Sequence, residues 1–457
     1  MTYICDFHIH SKYSRATSKD TDVDNLIKWA RIKGIDVLGT GDFTHPLWLK
    51  ELKEKLKPAE NGLFSLKKQE TRNKKQTNYN NQNFNNQTRF ILTTEISSIY
   101  SKNGRTRKVH NIIFAPSFDV VEKINTHLGW IGNLKSDGRP ILGLDSKELA
   151  KIVLNISEDC LIVPAHAWTP WFSIFGSNSG FDSIEECFEE YTKYIYSIET
   201  GLSATPDMCW QLSALDNITL ISNSDAHSPQ KIGREANIFE GDRIDYNLIA
   251  KAIRDPNYPN EHPNAPNKLK LVKTLEFFPE EGKYHWDGHR NCELCLSPEE
   301  SIKYNNICPR CGRPLTIGVM NRVRQLADRA PTPEGVGVLT PDAKSRGVGG
   351  KRIPFQRLIP LNEIIADVLG VGVDTKGVSE YYRGLIRTFN NEFRVLLDIK
   401  KEEIAAASLP EIGEGIERVR QGKVSVQPGY DGEFGKISIF GDGEERPKTR
   451  AGQETLF

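Results

Sequence analysis

The sequence predicts an α/β barrel followed by a small metal-held module and a mainly helical region. Three observations carry that prediction. Apolar runs of strand length alternate with helical stretches through the first 275 residues. The ends of those runs collect His, Asp and Glu. Farther on, four cysteines stand as two Cys-x2-Cys pairs, Cys292/Cys295 and Cys308/Cys311.

The clearest strand end is LISNSDAHSP, an apolar run that finishes in Asp225-Ala226-His227. On an extended segment, residues two apart leave the same face, so Asp225 and His227 converge as half a metal site. YICDFHIH near the N-terminus repeats the arrangement: Ile4, Asp6, His8 and His10 share one face, and Cys5, Phe7 and Ile9 the other. A polar loop follows, and then DVDNLIKWARIKG. There Val23, Leu26, Ile27 and Ala30 keep helical spacing, and Gly34 is placed to stop the helix. Ile35 to Leu38 restart as a strand that ends in GTGDFTH, with Asp42 and His45. The rhythm then recurs. RFILTTE ends at Glu95, KVHNIIF carries His110, LIVPAH ends at His166, and YSIET at Glu199. In a parallel barrel such strand ends meet at one mouth, where these barrels place their chemistry. One ion takes four to six ligands, and the supply here predicts more than one ion. Residues 67–89, polar and Asn-rich without periodicity, read as a mobile surface insertion.

Composition narrows the partners. Sixty basic residues balance sixty acidic ones, so nucleic-acid affinity has to reside in a local patch. There is no secretory pattern and no run of eighteen apolar residues, which predicts a soluble cytoplasmic chain, nucleoid-associated if it binds DNA. Cys5, Cys160, Cys187 and Cys209 are scattered among apolar residues and read as buried thiols. The paired cysteines are metal arithmetic in a reducing compartment. With twelve residues between the pairs, Cys292, Cys295, Cys308 and Cys311 are predicted to hold one structural zinc. That leaves His285 and His289 as surplus polar surface.

From Arg313 to Arg357 nine Arg or Lys stand against three acids, a local charge of +6. Arg322, Arg324, Lys344, Arg346, Lys351 and Arg352 in that stretch are candidate DNA contacts, and its glycines allow close approach to a phosphate backbone. Two helices are predicted next, PLNEIIADVLG and VSEYYRGLIRTFNNEFRVLLDI, then a short β element with a turn at Pro428-Gly429. The charged tail ends in Gln453-x-x-Leu456-Phe457, whose two apolar residues have nothing of their own to bury against.

His8-x-His10, Asp42, Glu95, His110, His166 and Asp225-x-His227 resemble, in order, the metal ligands of the PHP family of phosphoesterases. SRATSKD, GTGDFTHP, HAWTPWFSIFG and SNSDAHSP resemble more narrowly the endonuclease Q family of DNA-repair nucleases. Gly41-Asp42 stands where many PHP members have Asp-His, with His45 three residues on as a possible further ligand. The resemblance implies a distorted (β/α)7 barrel with two or three divalent metals (zinc, manganese or magnesium) at its mouth. His8, His10, Glu95 and Asp225 would hold one, bridging Glu95 with His110 and His166 a second, and Asp42 with His227 a third. Asp225, His227 and Glu95 would be catalytic. The implied substrate is DNA, cut 5′ of a deaminated base (uracil, hypoxanthine, xanthine) or an abasic site, leaving 3′-hydroxyl and 5′-phosphate ends. Arg15 and the aromatic loop bearing Trp168, Trp171 and Phe172 would contact that DNA, with core packing the competing reading for the aromatics. Gln453, Leu456 and Phe457 resemble peptides that dock on sliding clamps, fitting the bacterial clamp and PCNA equally well. The implied organisation is a barrel over 1–275, a four-cysteine module over 276–316, a basic helical DNA-binding region over 317–440 and a flexible tail over 441–457. The alternatives are a PHP phosphatase or exonuclease on other substrates, or a DNA-binding scaffold without activity.

Overall fold

A computed structural model describes residues 1–67, 88–257, 267–330 and 352–441. β1 (Thr2–Asp6) runs on into Phe7 and Ile9, which are buried with Cys5 in apolar surroundings. α1 (Val23–Lys33) forms where the spacing predicts: Asp22 caps it by accepting from the Asn25 amide, and Val23, Leu26, Ile27 and Ala30 are buried. It ends at Gly34, whose φ of 91° lies in the left-handed region. β2 (Val37–Gly39) pairs parallel with β1, and α2 (Pro46–Lys55) then leads to a short hairpin, β3 (Leu56–Pro58) and β4 (Leu63–Leu66).

β5 (Arg89–Lys102) pairs parallel with β2, and β6 (Arg105–Ala115) returns antiparallel along it. This corrects the expectation of strands that simply end at their ligands. β5 carries on past Glu95 to Lys102, and β6 is reversed, so Glu95 and His110 are mid-strand residues of a long hairpin. Parity still serves them. Ser97 lies opposite His110 and Glu95 is two residues before Ser97, which puts Glu95 and His110 on one face.

α3 (Phe118–Ile131), β7 (Ile141–Leu142) and α4 (Ser146–Ile156) follow, and β8 (Leu161–Pro164) pairs antiparallel with β6. β9 (Ser197–Glu199) and β10 (Thr219–Ile221) pair in parallel. Two contacts close the ring: Ala167 N donates to Glu199 O at 2.9 Å, and His10 N to Ala226 O at 2.9 Å. Among the described residues this makes a seven-stranded barrel in the order β1, β2, β5, β6, β8, β9, β10, distorted by the reversed β6. β11 (Ala236–Gly241) and β12 (Leu269–Glu276) extend the sheet from the other side of β1.

The later chain leans on this frame. β13 (Asp287–His289) and β14 (Leu294–Leu296) form the cysteine hairpin. β15 (Phe355–Arg357), from the stretch expected to be helical, adds parallel to β12. The long helix expected after residue 378 is two, Lys376–Phe389 and Glu392–Leu397. Asn390 between them takes φ 80°, and Asn391 caps the second by accepting from Arg394 N. Lys33 and Glu392 form a buried ion pair at 2.8 Å, and Tyr382 Oη and Leu361 N also donate to Glu392. That node ties the helical region to α1, and removing one partner of such a pair costs on the order of 3–5 kcal/mol. β16 (Ser425–Gln427) and β17 (Lys436–Ser438) make the expected β element. No helix among the described residues is long and apolar enough to cross a membrane.

Candidate metal centre

At the barrel mouth the structure brings most of the expected ligands together. His8, His10, Glu95 and Asp225 offer ligand atoms within 4.8 Å of one another, and so do Glu95, His110 and His166. Glu95 belongs to both groups. Its Oε2 lies 3.2 Å from His10 Nε2 and 3.4 Å from His8 Nε2, while Oε1 lies 2.6 Å from His110 Nδ1 and 3.1 Å from His166 Nε2. His10 Nε2 also approaches Asp225 Oδ1 at 3.0 Å. Yet His8 Nε2, His10 Nε2 and Asp225 Oδ1 are buried without an aligned hydrogen bond. Orphaned polar atoms pointing at one another from imidazole and carboxylate donors are what a metal ion satisfies, so the residues fit the expected metals.

The backbone is strained at three of these positions. Asp42, His166 and Asp225 have φ of 47°, 30° and 46°, a region that side-chain-bearing residues seldom occupy. Behind the ligands stand partners that fix their rings. Glu199 accepts from His8 Nδ1 at 3.0 Å, and also receives His166 N and Asn223 Nδ2. Asp42 Oδ1 lies 3.0 Å from His10 Nδ1, and its Oδ2 takes both the amide and hydroxyl of Ser11. Such carboxylate–histidine pairs aim the far nitrogen at a metal. Asp6 holds Ser224 and Gly233 N in the same way and so anchors the Asp225 loop; burial pushes its pKa up to about 6.

The charges of the cluster crowd one another. Burial opposes protonation of His8 and His10, but the surrounding carboxylates outweigh it and raise both well above an ordinary imidazole. Burial also works against ionised Glu95, and the side chains around it (His110, Arg139, His8) still hold its pKa well below the usual range. Burial drives His110 down to about 4. Asp42 and His227 do not meet in a third ligand group among the described residues: Asp42 faces His10, and His227 Nδ1 turns to Asp225 O at 2.9 Å. His45 is buried under Tyr13, ring centroids 4.4 Å apart, and enters neither group.

Set against solved structures, the chain matches the lesion-specific endonuclease PfuEndoQ from Pyrococcus furiosus with a TM-score of 0.78 and 31% identity, over 99% of this chain and 98% of that one. The chain belongs to the endonuclease Q family. A structure of endonuclease Q with a 27-mer duplex substrate, an abasic lesion at its active site, matches with a TM-score of 0.77 and 31% identity, over 97% of this chain and 98% of that one. Residues 360–423 match the family model of the MJ0043 C-terminal domain. The uncharacterised protein MJ0043 of Methanocaldococcus jannaschii is 33% identical over 282 residues, 60% of this chain, and the chain spans 31% of its length.

In this endonuclease Q family member the module's closest group of ligand atoms includes three of the four expected thiols. His289, Cys292, Cys308 and Cys311 bring ligand atoms within 4.8 Å of one another, with His289 Nδ1 3.8 Å from Cys311 Sγ. Cys295 is turned away, its Sγ 3.9 Å from Pro428 O. Hairpin register is the reason: His289 pairs with Leu294, and Cys295, one residue on, faces the opposite side. His285, also expected on the surface, is buried, and burial lowers its pKa to about 3.

The expected DNA contacts divide. Trp168 is fully buried, its Nε1 against Cys209 Sγ, so core packing wins there. Trp171 is 38% exposed and meets Tyr284 edge-on. Phe172, at φ 64°, lies 4.9 Å from the His110 ring. Arg15 is open to solvent and pairs at 3.3 Å with Asp137. Arg322 is not a free contact: it donates to Phe175 O, Phe181 O and Asp182, pinning the aromatic loop to helix Val319–Leu326. Arg352 likewise pairs with Asp216 and covers Trp210, whereas Arg324 is half-exposed beside Glu299. Lys344, Arg346, Lys351, Gln453, Leu456, Phe457 and the core of the 67–89 insertion lie outside the described residues. Sequence reasoning counted Glu199 among the strand ends without giving it a role, and it overlooked Arg139, whose Nη1 is 3.1 Å from Glu95 Oε2. No strand-end pattern marks Arg139.

Proposed function

We propose that this protein is a lesion-specific DNA endonuclease that hydrolyses the phosphodiester 5′ of a deaminated base (uracil, hypoxanthine, xanthine) or an abasic site, leaving 3′-hydroxyl and 5′-phosphate ends. The observation that carries the reading is Glu95, one carboxylate between two imidazole groups at the barrel mouth. Held by His8, His10, Glu95 and Asp225 and by Glu95, His110 and His166, two divalent ions, zinc, manganese or magnesium, would supply an activated water and a clamp on the phosphate. The chain's own residues do the rest. Glu199 and Asp42 hold His8 and His10 in register, and strained Asp225 and His166 present their side chains from tight turns. Phe172, beside His110, and Trp171, against Tyr284, would line the path of a nucleotide drawn out of the duplex.

A third ion would draw on Asp42 and His227. A structural zinc in the His289, Cys292, Cys308 and Cys311 set would support the module that carries Tyr284 toward Trp171. The tail peptide would add docking on a sliding clamp, where tethering raises local concentration. The test is nicking of uracil, inosine, xanthosine, abasic and undamaged duplexes side by side, with and without chelator. Cutting confined to the lesion strands and abolished by chelator is expected; equal cutting of undamaged duplex, or none of any, refutes the reading.

A further inference from the structure

We propose that Arg139 is a catalytic residue that donates a hydrogen bond to a non-bridging oxygen of the scissile phosphodiester. The inference rests on the phosphodiester reading above and names a residue that the metal-ligand pattern omits. Arg139 stands between the buried ligands and solvent: Glu95 beneath it is 0% exposed, whereas the arginine side chain retains 27%. Among the described residues its side chain donates from Nη1 to Glu95, one of the five N–H donors a guanidinium carries.

The loop is built to hold it there. Gly138 N donates to Tyr13 O, Arg139 N to Asp137 Oδ1, and Ser97 N to Pro140 O, so both flanks are pinned. Gly138 is required by closeness: a Cβ would stand 2.3 Å from Asp42 Oδ2. The loop is thus packed directly on the residue that orients His10.

Charge gives this placement its meaning. Two divalent ions in the adjacent groups would draw on Glu95 and Asp225, the carboxylates that face Arg139, and leave its guanidinium to meet the negative charge of an arriving phosphodiester. During hydrolysis the water oxygen joins phosphorus, the P–O3′ bond breaks, and the 3′ oxygen leaves with a proton from the water. Negative charge meanwhile gathers on the non-bridging oxygens, where a fixed bidentate donor is most effective.

The experiment compares Arg139→Ala, Arg139→Gln and Arg139→Lys with wild type in single-turnover cleavage of an abasic duplex at saturating enzyme. Bound metal is quantified in each protein, and methylguanidinium is added to the alanine variant. The expected result is a rate lowered on the order of 10²–10³-fold with metal content unchanged, and partial recovery with methylguanidinium. Two results overturn the proposal: rates within about threefold of wild type, or rate loss that tracks lost metal and returns on adding metal, which would make Arg139 a support for Glu95 alone. A wild-type protein that cuts no lesion duplex defeats the underlying reading instead.

Discussion

The barrel mouth and the cysteine module gather their candidate ligands in opposite ways. His8, His10, Glu95, His110, His166 and Asp225 come from strands spread along the whole barrel, whereas the module draws its four from residues 289–311. The distant set was the more legible. Glu95 and His110 sit on strands whose alternation fixes their face, His8, His10, His166 and Asp225 follow strand ends, and closing the ring brings them together. In the module, one residue of hairpin register sets whether Cys295 or His289 faces the other three cysteines. The two regions also differ in support. Side-chain partners such as Glu199, Asp42 and Ser97 stand behind the mouth ligands, while the module relies on tight turns such as Cys308 N to Arg313 O.

The sharpest break is at the mouth. Asp225→Asn is expected to abolish lesion cleavage while leaving the melting temperature and DNA affinity nearly unchanged, because Asp225 faces the ligand cluster and its Oδ1 has no aligned hydrogen bond to lose. Nicking that persists in the purified, folded variant would sink its assignment.

Next comes the module, where two cysteines should behave differently. Cys308→Ser is expected to lose one zinc and unfold the hairpin, since structural zinc supplies folding energy directly. Cys295→Ser should keep the metal, because its thiol faces Pro428. Zinc analysis of both proteins decides, and equal loss would restore the four-thiol site.

Support behind the mouth is tested by Glu199→Gln. It keeps the shape of the group that holds His8 and removes its charge, so metal affinity should fall about 10–100-fold. Competition with a chelator of known affinity measures this. No change would mean that His8 is oriented by the barrel alone.

The smallest effect concerns His285. Its folded pKa is lowered to about 3 by burial, with Arg357 adding to the effect. Above pH ~6.5 both folded and unfolded chains carry it neutral, so it adds no pH dependence there. As pH falls from ~6.5 toward 3, the unfolded chain takes up a proton that the folded chain refuses, and stability drops by up to about 1.4 kcal/mol per pH unit. Denaturant melts at pH 7 and pH 5 should therefore differ less in His285→Leu than in wild type; identical pH slopes would remove the argument.

What the sequence determined by itself was everything that strand parity and helical spacing encode. The face shared by His8 and His10, the helix stopped at Gly34 and the barrel class follow from local geometry that burial enforces. Only the tertiary structure decided which side chains those faces meet. β6 runs backward, so Glu95 and His110 face one another from mid-strand positions. Arg322 and Arg352 spend their charge on protein partners rather than on an open surface, and Trp168 fills the core while Trp171 does not. Arg139 reaches Glu95 from a loop with no pattern of its own. The physical reason is range. Alternation and capping act within a few residues and can be read there, whereas burial of a charge or an aromatic ring depends on neighbours that only the closed barrel brings into contact.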